Sequence, residues 1–155
     1  MKRLLDLFII MLTAFLFSCG GNKPEPIIIG EDLCAHCKMK IMDNRYGAEI
    51  ITNKGKVYKY DAVECMIKQD QIRNEDIKTH YVIDFSHPGN LVEANNSFYL
   101  ISEKLPSPMG ANLTSFKEKG EVEKHQKEFG GSVYNWQEIV EHIKTSNEKD
   151  HQHKL

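Results

Sequence analysis

The sequence predicts an α+β fold built of two related small ββαβ-type units with mixed or antiparallel sheets. Three observations point to it. Short β-branched or alternating segments flank turn residues, two stretches carry helical spacing, and the order strand, strand, helix, strand recurs in outline in the second half. The 155 residues, 41% of them apolar, suffice for one compact domain or two small ones and exclude a disordered or collagen-like chain. Four cysteines, Cys19, Cys34, Cys37 and Cys65, are too few for a dense disulfide scaffold. A net charge of −2 from 20 basic and 22 acidic side chains argues against nucleic acid as a partner, because that partner needs clustered Lys and Arg to displace counterions.

In the first unit, Ile27-Ile28-Ile29 reads as a strand-like entry. Ala48–Thr52 and Lys56–Tyr60 flank Asn53-Lys54-Gly55 and read as a hairpin. Asp61 is expected to cap a helix running to about Gln69, with Val63 and Ile67 at helical spacing, and Tyr81–Phe85 is the next strand. In the second unit, Phe98–Ile101 and Leu113–Phe116 read as strands and Val122–Phe129 as a helix stopped by Gly130-Gly131. A strand over Ser132–Trp136 and a short helix over Gln137–Lys144 complete it. The units are placed at about 27–90 and 91–144, and Thr145–Leu155, with His151 and His153, is expected to be a polar, mobile tail.

Residues 1–18 lie outside this plan. Lys2 and Arg3 precede an apolar run from Leu7 to Phe17 that is short for a membrane span and reads as an export signal. Leu16-Phe17-Ser18-Cys19 resembles the lipobox of bacterial lipoproteins, which makes Cys19 the acylated first residue of the mature chain. Several acyl chains give a durable anchor, since each buried methylene contributes roughly 0.8 kcal/mol. Residues 19–26, rich in Gly and Pro, then form a lipidated tether. Gly20 after the cysteine resembles lipoproteins sent to an outer membrane, so the expectation is a cell-envelope protein facing the periplasm.

The chemistry concentrates in Cys34-Ala35-His36-Cys37-Lys38-Met39-Lys40-Ile41-Met42. Thiolate and thioether sulfur are soft donors that favour Cu(I), and a CxxC spacing lets both sulfurs meet one ion across a tight turn. Three other readings remain open: a thioredoxin-like redox pair, a zinc site of Cys34, Cys37 and Cys65 with one histidine, and a plain disulfide between Cys34 and Cys37. Met39 is favoured as a ligand, His36 is balanced between ligand and surface residue, and Met42 reads as core. Cys65 is equally a buried inert thiol or a ligand, and His80 and His87 read as structural or exposed. In Leu105–Phe116, prolines on both sides of Ser107 and a glycine after Met109 make a stiff loop that presents Met109.

These motifs together, CxxCxMxI at Cys34–Ile41, KxYxYDxxxCM at Lys56–Met66, SPMGxxLxxF at Ser107–Phe116 and Phe-Gly-Gly-x-Val at Phe129–Val133, resemble the NosL family of copper-binding lipoproteins. The resemblance spans about Leu33 to Trp136. It implies two ββαβ-type units, one Cu(I) ion held by Cys, Met and His donors, and delivery of that copper to nitrous oxide reductase through a membrane ABC-type maturation machinery. Carried onto this chain, the motif favours Cys37, Met39 and Met109, with Cys34 next. The expected function is therefore a lipid-anchored Cu(I) metallochaperone without catalytic turnover. A CxxC thiol–disulfide oxidoreductase and a zinc-stapled interaction module are the alternatives.

Overall fold

The computed structural model describes residues 23–72 and 76–152; the segment expected to be an export signal, Cys19 and His153 lie outside the described residues. The first sheet begins with the expected hairpin, β1 (Ala48–Thr52) paired antiparallel with β2 (Val57–Tyr60). Its turn closes through Gly55 N–H donating to the Thr52 carbonyl at 2.9 Å, with Gly55 at φ +77°, a conformation that suits a residue without Cβ. Helix α1 (Val63–Ile72) follows, then β3 (Ile77–Ile83) and β4 (Leu91–Glu93), giving the strand order β2-β1-β3-β4. A single 3-10 turn at Ala94–Asn96 leads into the second sheet. There β5 (Phe98–Ile101), β6 (Leu113–Phe116), α2 (Lys119–Phe129) and β7 (Ser132–Tyr134) give the order β6-β5-β7.

The expected repeat is present in the pairing itself. In both units the first strand is central and pairs antiparallel with the second and with the strand after the helix. The same connectivity thus recurs, and every named pairing is antiparallel, including β3 with β4. Because β4 joins the first sheet, that sheet extends to Glu93.

Other expectations need correction. Residues 27–29 form no strand: the chain turns at 29–31, and Ile27 lies across the first sheet with its Cδ1 2.8 Å from where a Cβ on Gly47 would sit. A side chain at Gly47 would have to displace the tips of Ile27 and Ile83. The carbonyl of Ala62, not of Asp61, accepts the first amides of α1, from Cys65 at 3.1 Å and Met66 at 3.3 Å, which frees Asp61 for another task. Trp136 opens a helix and does not end a strand. Asn135 Oδ1 accepts from the Glu138 amide at 3.0 Å while Glu138 Oε2 accepts from the Asn135 amide at 2.8 Å, a reciprocal capping box that starts α3 (Trp136–Gln152). The helix continues through most of the segment expected to be a mobile tail.

Two cores result. The larger joins Ile50, Tyr60, Val63, Met66 and Val82 of the first unit to Tyr99, Leu113, Trp136 and Ile139, so the units share it. The smaller lies under α2, where Leu100, Phe116 and Val122 pack with Phe98 and Phe129. Alternation along β5 explains the split, since Tyr99 and Ile101 serve one core and Phe98 and Leu100 the other. Helix α1 packs against β1, β2, β6 and α3 and is the element that both sheets clasp.

Glu49, the second residue of β1, is fully buried and accepts the Glu25 amide on both carboxylate oxygens, at 3.1 and 3.2 Å, which fastens the N-terminal segment to the sheet. Burial pushes its carboxyl up to about 7 from an ordinary 4.5. Between these values the folded chain holds more protons than the unfolded one, so this contribution to stability is complete below 4.5 and is lost as pH rises through about 7. In urea titrations from pH 4.5 to 8 the native chain should therefore lose on the order of 1–2 kcal/mol relative to Glu49→Gln, after allowance for solvent screening. An unchanged slope in that variant would remove Glu49 as the cause.

Candidate metal centre

The CxxC segment forms a closed loop. Cys34 N–H donates to the Met39 carbonyl at 2.8 Å, Lys38 N–H donates to the Cys34 carbonyl at 3.0 Å, and Leu33 and Lys40 pair as an isolated bridge. Lys38 takes a positive φ of 66° at the point where the chain reverses, and its Nζ donates to the Ala35 carbonyl. Ala35 N–H donates to the Lys59 carbonyl at 2.8 Å, which seats the loop beside the end of β2 and the start of α1. No helix begins at the motif, so the geometry that lowers a thioredoxin-like thiol through a helix dipole is not built here.

Seating the loop there adds two residues to its thiols. Cys34, Cys37, Asp61 and Cys65 each offer a donor atom, and these atoms all lie within 4.8 Å of one another. Two ligands on opposite sides of one ion at the usual metal–sulfur distance are about 4.6 Å apart, so the four donors fit around a single centre. All three thiols are free. Cys34, Cys65 and Asp61 are buried and Cys37 is half-buried, which leaves the cluster open on one side.

The thiols share their protons unequally. The Cys65 thiol donates to Cys34, and the backbone N–H groups of Asp61, Cys37 and His36 add hydrogen bonds to the same sulfur, bringing Cys34 down to about 6 against its own burial. Cys65 is driven far up because its proton is held by Cys34 and because it is buried. Burial also raises Cys37, reinforced by the nearby Cys34 and the Asp61 carboxylate, whose Oδ1 lies 3.8 Å from the Cys37 sulfur. One thiolate stabilised by four donors beside two protonated thiols is a nucleus on which a soft cation can assemble the rest, releasing protons as it binds.

The other sequence candidates lie around this cluster. Met39 contributes its carbonyl to the loop while the residue is 52% exposed. Met109 is half-buried and packs against the core that contains Cys34 and Cys65, so the loop folds it inward where the sequence suggested presentation. His36 Nδ1 meets Gln69 Oε1 of α1 at 3.0 Å, and because a carbonyl oxygen only accepts, the imidazole is the donor. His36 is not in the four-donor cluster. Met42, expected in the core, is 68% exposed because Ile41 takes the inward position. His80 pairs with Asp70 and His87 with Asp84, in keeping with structural roles.

Asp61 is the member that sequence reading missed, and Cys65 the one it left open. Both stand in the KxYxYDxxxCM motif, but nothing in that spacing places them beside the CxxC loop.

The chain matches the NosL family over residues 27–143. Among solved structures it is similar to the copper chaperone NosL from Shewanella denitrificans, with 21% sequence identity, a TM-score of 0.66, and coverage of 76% of this chain and 96% of that one. No curated protein shows significant similarity.

Because the Asp61 carboxylate helps to hold the Cys37 thiol protonated, Asp61→Asn should lower the Cys37 pKa and speed its alkylation by iodoacetamide at pH 7.5. The expected gain is about fivefold, the effect of a unit charge about 4 Å away in water. Slower alkylation of Cys37 in the variant would contradict this electrostatic assignment.

Proposed function

The chain belongs to the NosL family, and on that footing we propose that it is an exported, lipid-anchored metallochaperone that carries Cu(I) as cargo, without catalytic turnover. The observation that carries this reading is the convergence of three free thiols, Cys34, Cys37 and Cys65, on one half-open cluster. Soft sulfur donors in that number suit a monovalent soft cation. The solved relative of the same fold is itself described as a copper chaperone. Delivery to nitrous oxide reductase through its ABC-type maturation machinery, an anchor on Cys19 and a periplasm-facing, outer-membrane location belong to the same proposal and rest on the sequence motifs.

Transfer follows from the unequal burial of the donors. Cys34 and Cys65 are enclosed and form the inner wall, whereas Cys37 is half-buried and Met39 exposed. An incoming ligand from a partner therefore reaches the ion from the Cys37 side and displaces Cys37 first, with the buried thiols released last. Asp61, within reach of the Cys37 sulfur, stands where the thiol proton must leave on binding and return on release. Met39 and Met109 offer thioether donors at any pH and form no disulfide, which suits an oxidising compartment.

The Asp61 oxygen favours a second reading, since three thiolates and one carboxylate also suit tetrahedral zinc. Competition separates the two. The reduced full chain, challenged with bicinchoninate, should keep one Cu(I) per chain, and Cys34→Ser or Cys65→Ser should lose it. Met39→Leu and Met109→Leu should slow copper transfer. Loss of copper with retention of zinc would establish the stapled module, and loss of copper with vigorous disulfide reduction by Cys34 and Cys37 would establish an oxidoreductase.

A further inference from the structure

Next to Cys65 on α1 lies a carboxylate that the metal cluster does not use. Glu64 is fully buried, and its Oε1 accepts the Ser107 hydroxyl at 2.6 Å and the Ala111 amide at 3.4 Å. Its Oε2 has no hydrogen-bond partner among the described residues. Burying a carboxylate is expensive, and an oxygen left without a partner adds to the cost. An apolar side chain would serve the packing of α1 better. The identified partners of this side chain are both in the loop between β5 and β6.

That loop carries Met109, and Glu64 holds it symmetrically. Ser107 and Ala111 stand two residues before and two after the methionine. Between them the Gly110 amide donates to the Ser107 carbonyl at 3.1 Å, closing a turn with Pro108 and Met109 at its centre. Leu105 and Ser107 are buried, so the loop is rooted on one side, and Met109 packs onto the core that contains Cys34 and Cys65. Adjacent residues on a helix point about 100° apart. Helix α1 thus directs Cys65 toward the CxxC loop and Glu64 toward the methionine loop.

We propose that Glu64 is a positioning residue of the copper site: by clamping Ser107 and Ala111 it holds the Met109 thioether against the cysteine cluster as a further sulfur donor. The clamp rests on the reading of Met109 as a Cu(I) donor, and its test separates the two. Outer partners of metal ligands typically influence affinity by 10- to 100-fold. In Cu(I) competition on the full chain, Ser107→Ala should weaken binding by about 10- to 100-fold, close to the loss from Met109→Leu, and should add nothing in the Met109→Leu background. Glu64→Gln keeps a carbonyl acceptor for Ser107 and should retain affinity within about threefold of the native chain, a rescue expected of the acceptor and not of the charge. An unchanged affinity in Ser107→Ala beside a weakened Met109→Leu would overturn the clamp. So would an equal loss from Ser107→Ala in both backgrounds, or a loss in Glu64→Gln that Ser107→Ala does not share. An unchanged affinity in Met109→Leu would instead remove the donor reading beneath it.

Discussion

Five consecutive residues of α1, Val63 to Ile67, are withdrawn from water, and most of what is distinctive in this molecule depends on that constraint. A helix on the surface of a domain buries one stripe. This one is clasped by β1 and β2 on one side and by β6 and α3 on others, so every direction its first turns face is occupied. Val63 and Met66 fill the shared core, Cys65 meets the CxxC loop, and Glu64 meets the Met109 loop. The helix therefore joins two loops that lie more than 60 residues apart in sequence.

The electrostatics follow from the same enclosure. Burial would ordinarily keep three thiols neutral, yet one of them, Cys34, is drawn toward the thiolate by the Cys65 proton and three backbone amides. Those amides belong to His36 and Cys37 within the loop and to Asp61 at the helix start, so the loop's closure and its docking both act on the same sulfur. Asp61 works in the other direction, holding Cys37 and Cys65 protonated. A site with one ready thiolate, two reserve thiols and an exposed rim suits reversible loading better than a fully closed tetrahedral site.

Much of the fold was legible because it is local. The hairpin over residues 48–60 announced itself by alternation around Asn53-Lys54-Gly55, and the recurring order of elements pointed to the repeated connectivity. What escaped was short or polar. Strand β4 has only three residues, and β3 begins with Ile77-Lys78-Thr79-His80, too polar to read as buried sheet. The Ile27–Ile29 run misled because apolar residues next to a sheet can pack across it as well as pair with it, and Ile27 does the former. Within the site, Cys34 and Cys37 were legible from spacing alone. Cys65 and Asp61 were not, because their membership depends on the loop docking through the Ala35 amide to Lys59, a contact that spacing does not encode.

The central claim is that Cys65 completes a single sulfur-rich centre with the CxxC loop. X-ray absorption at the copper edge, on the full chain loaded with one equivalent of Cu(I), tests it most directly. A first shell dominated by sulfur, from which Cys65→Ser removes one scatterer, is the predicted result. A shell of nitrogen and oxygen, or a spectrum indifferent to Cys65→Ser, would contradict it.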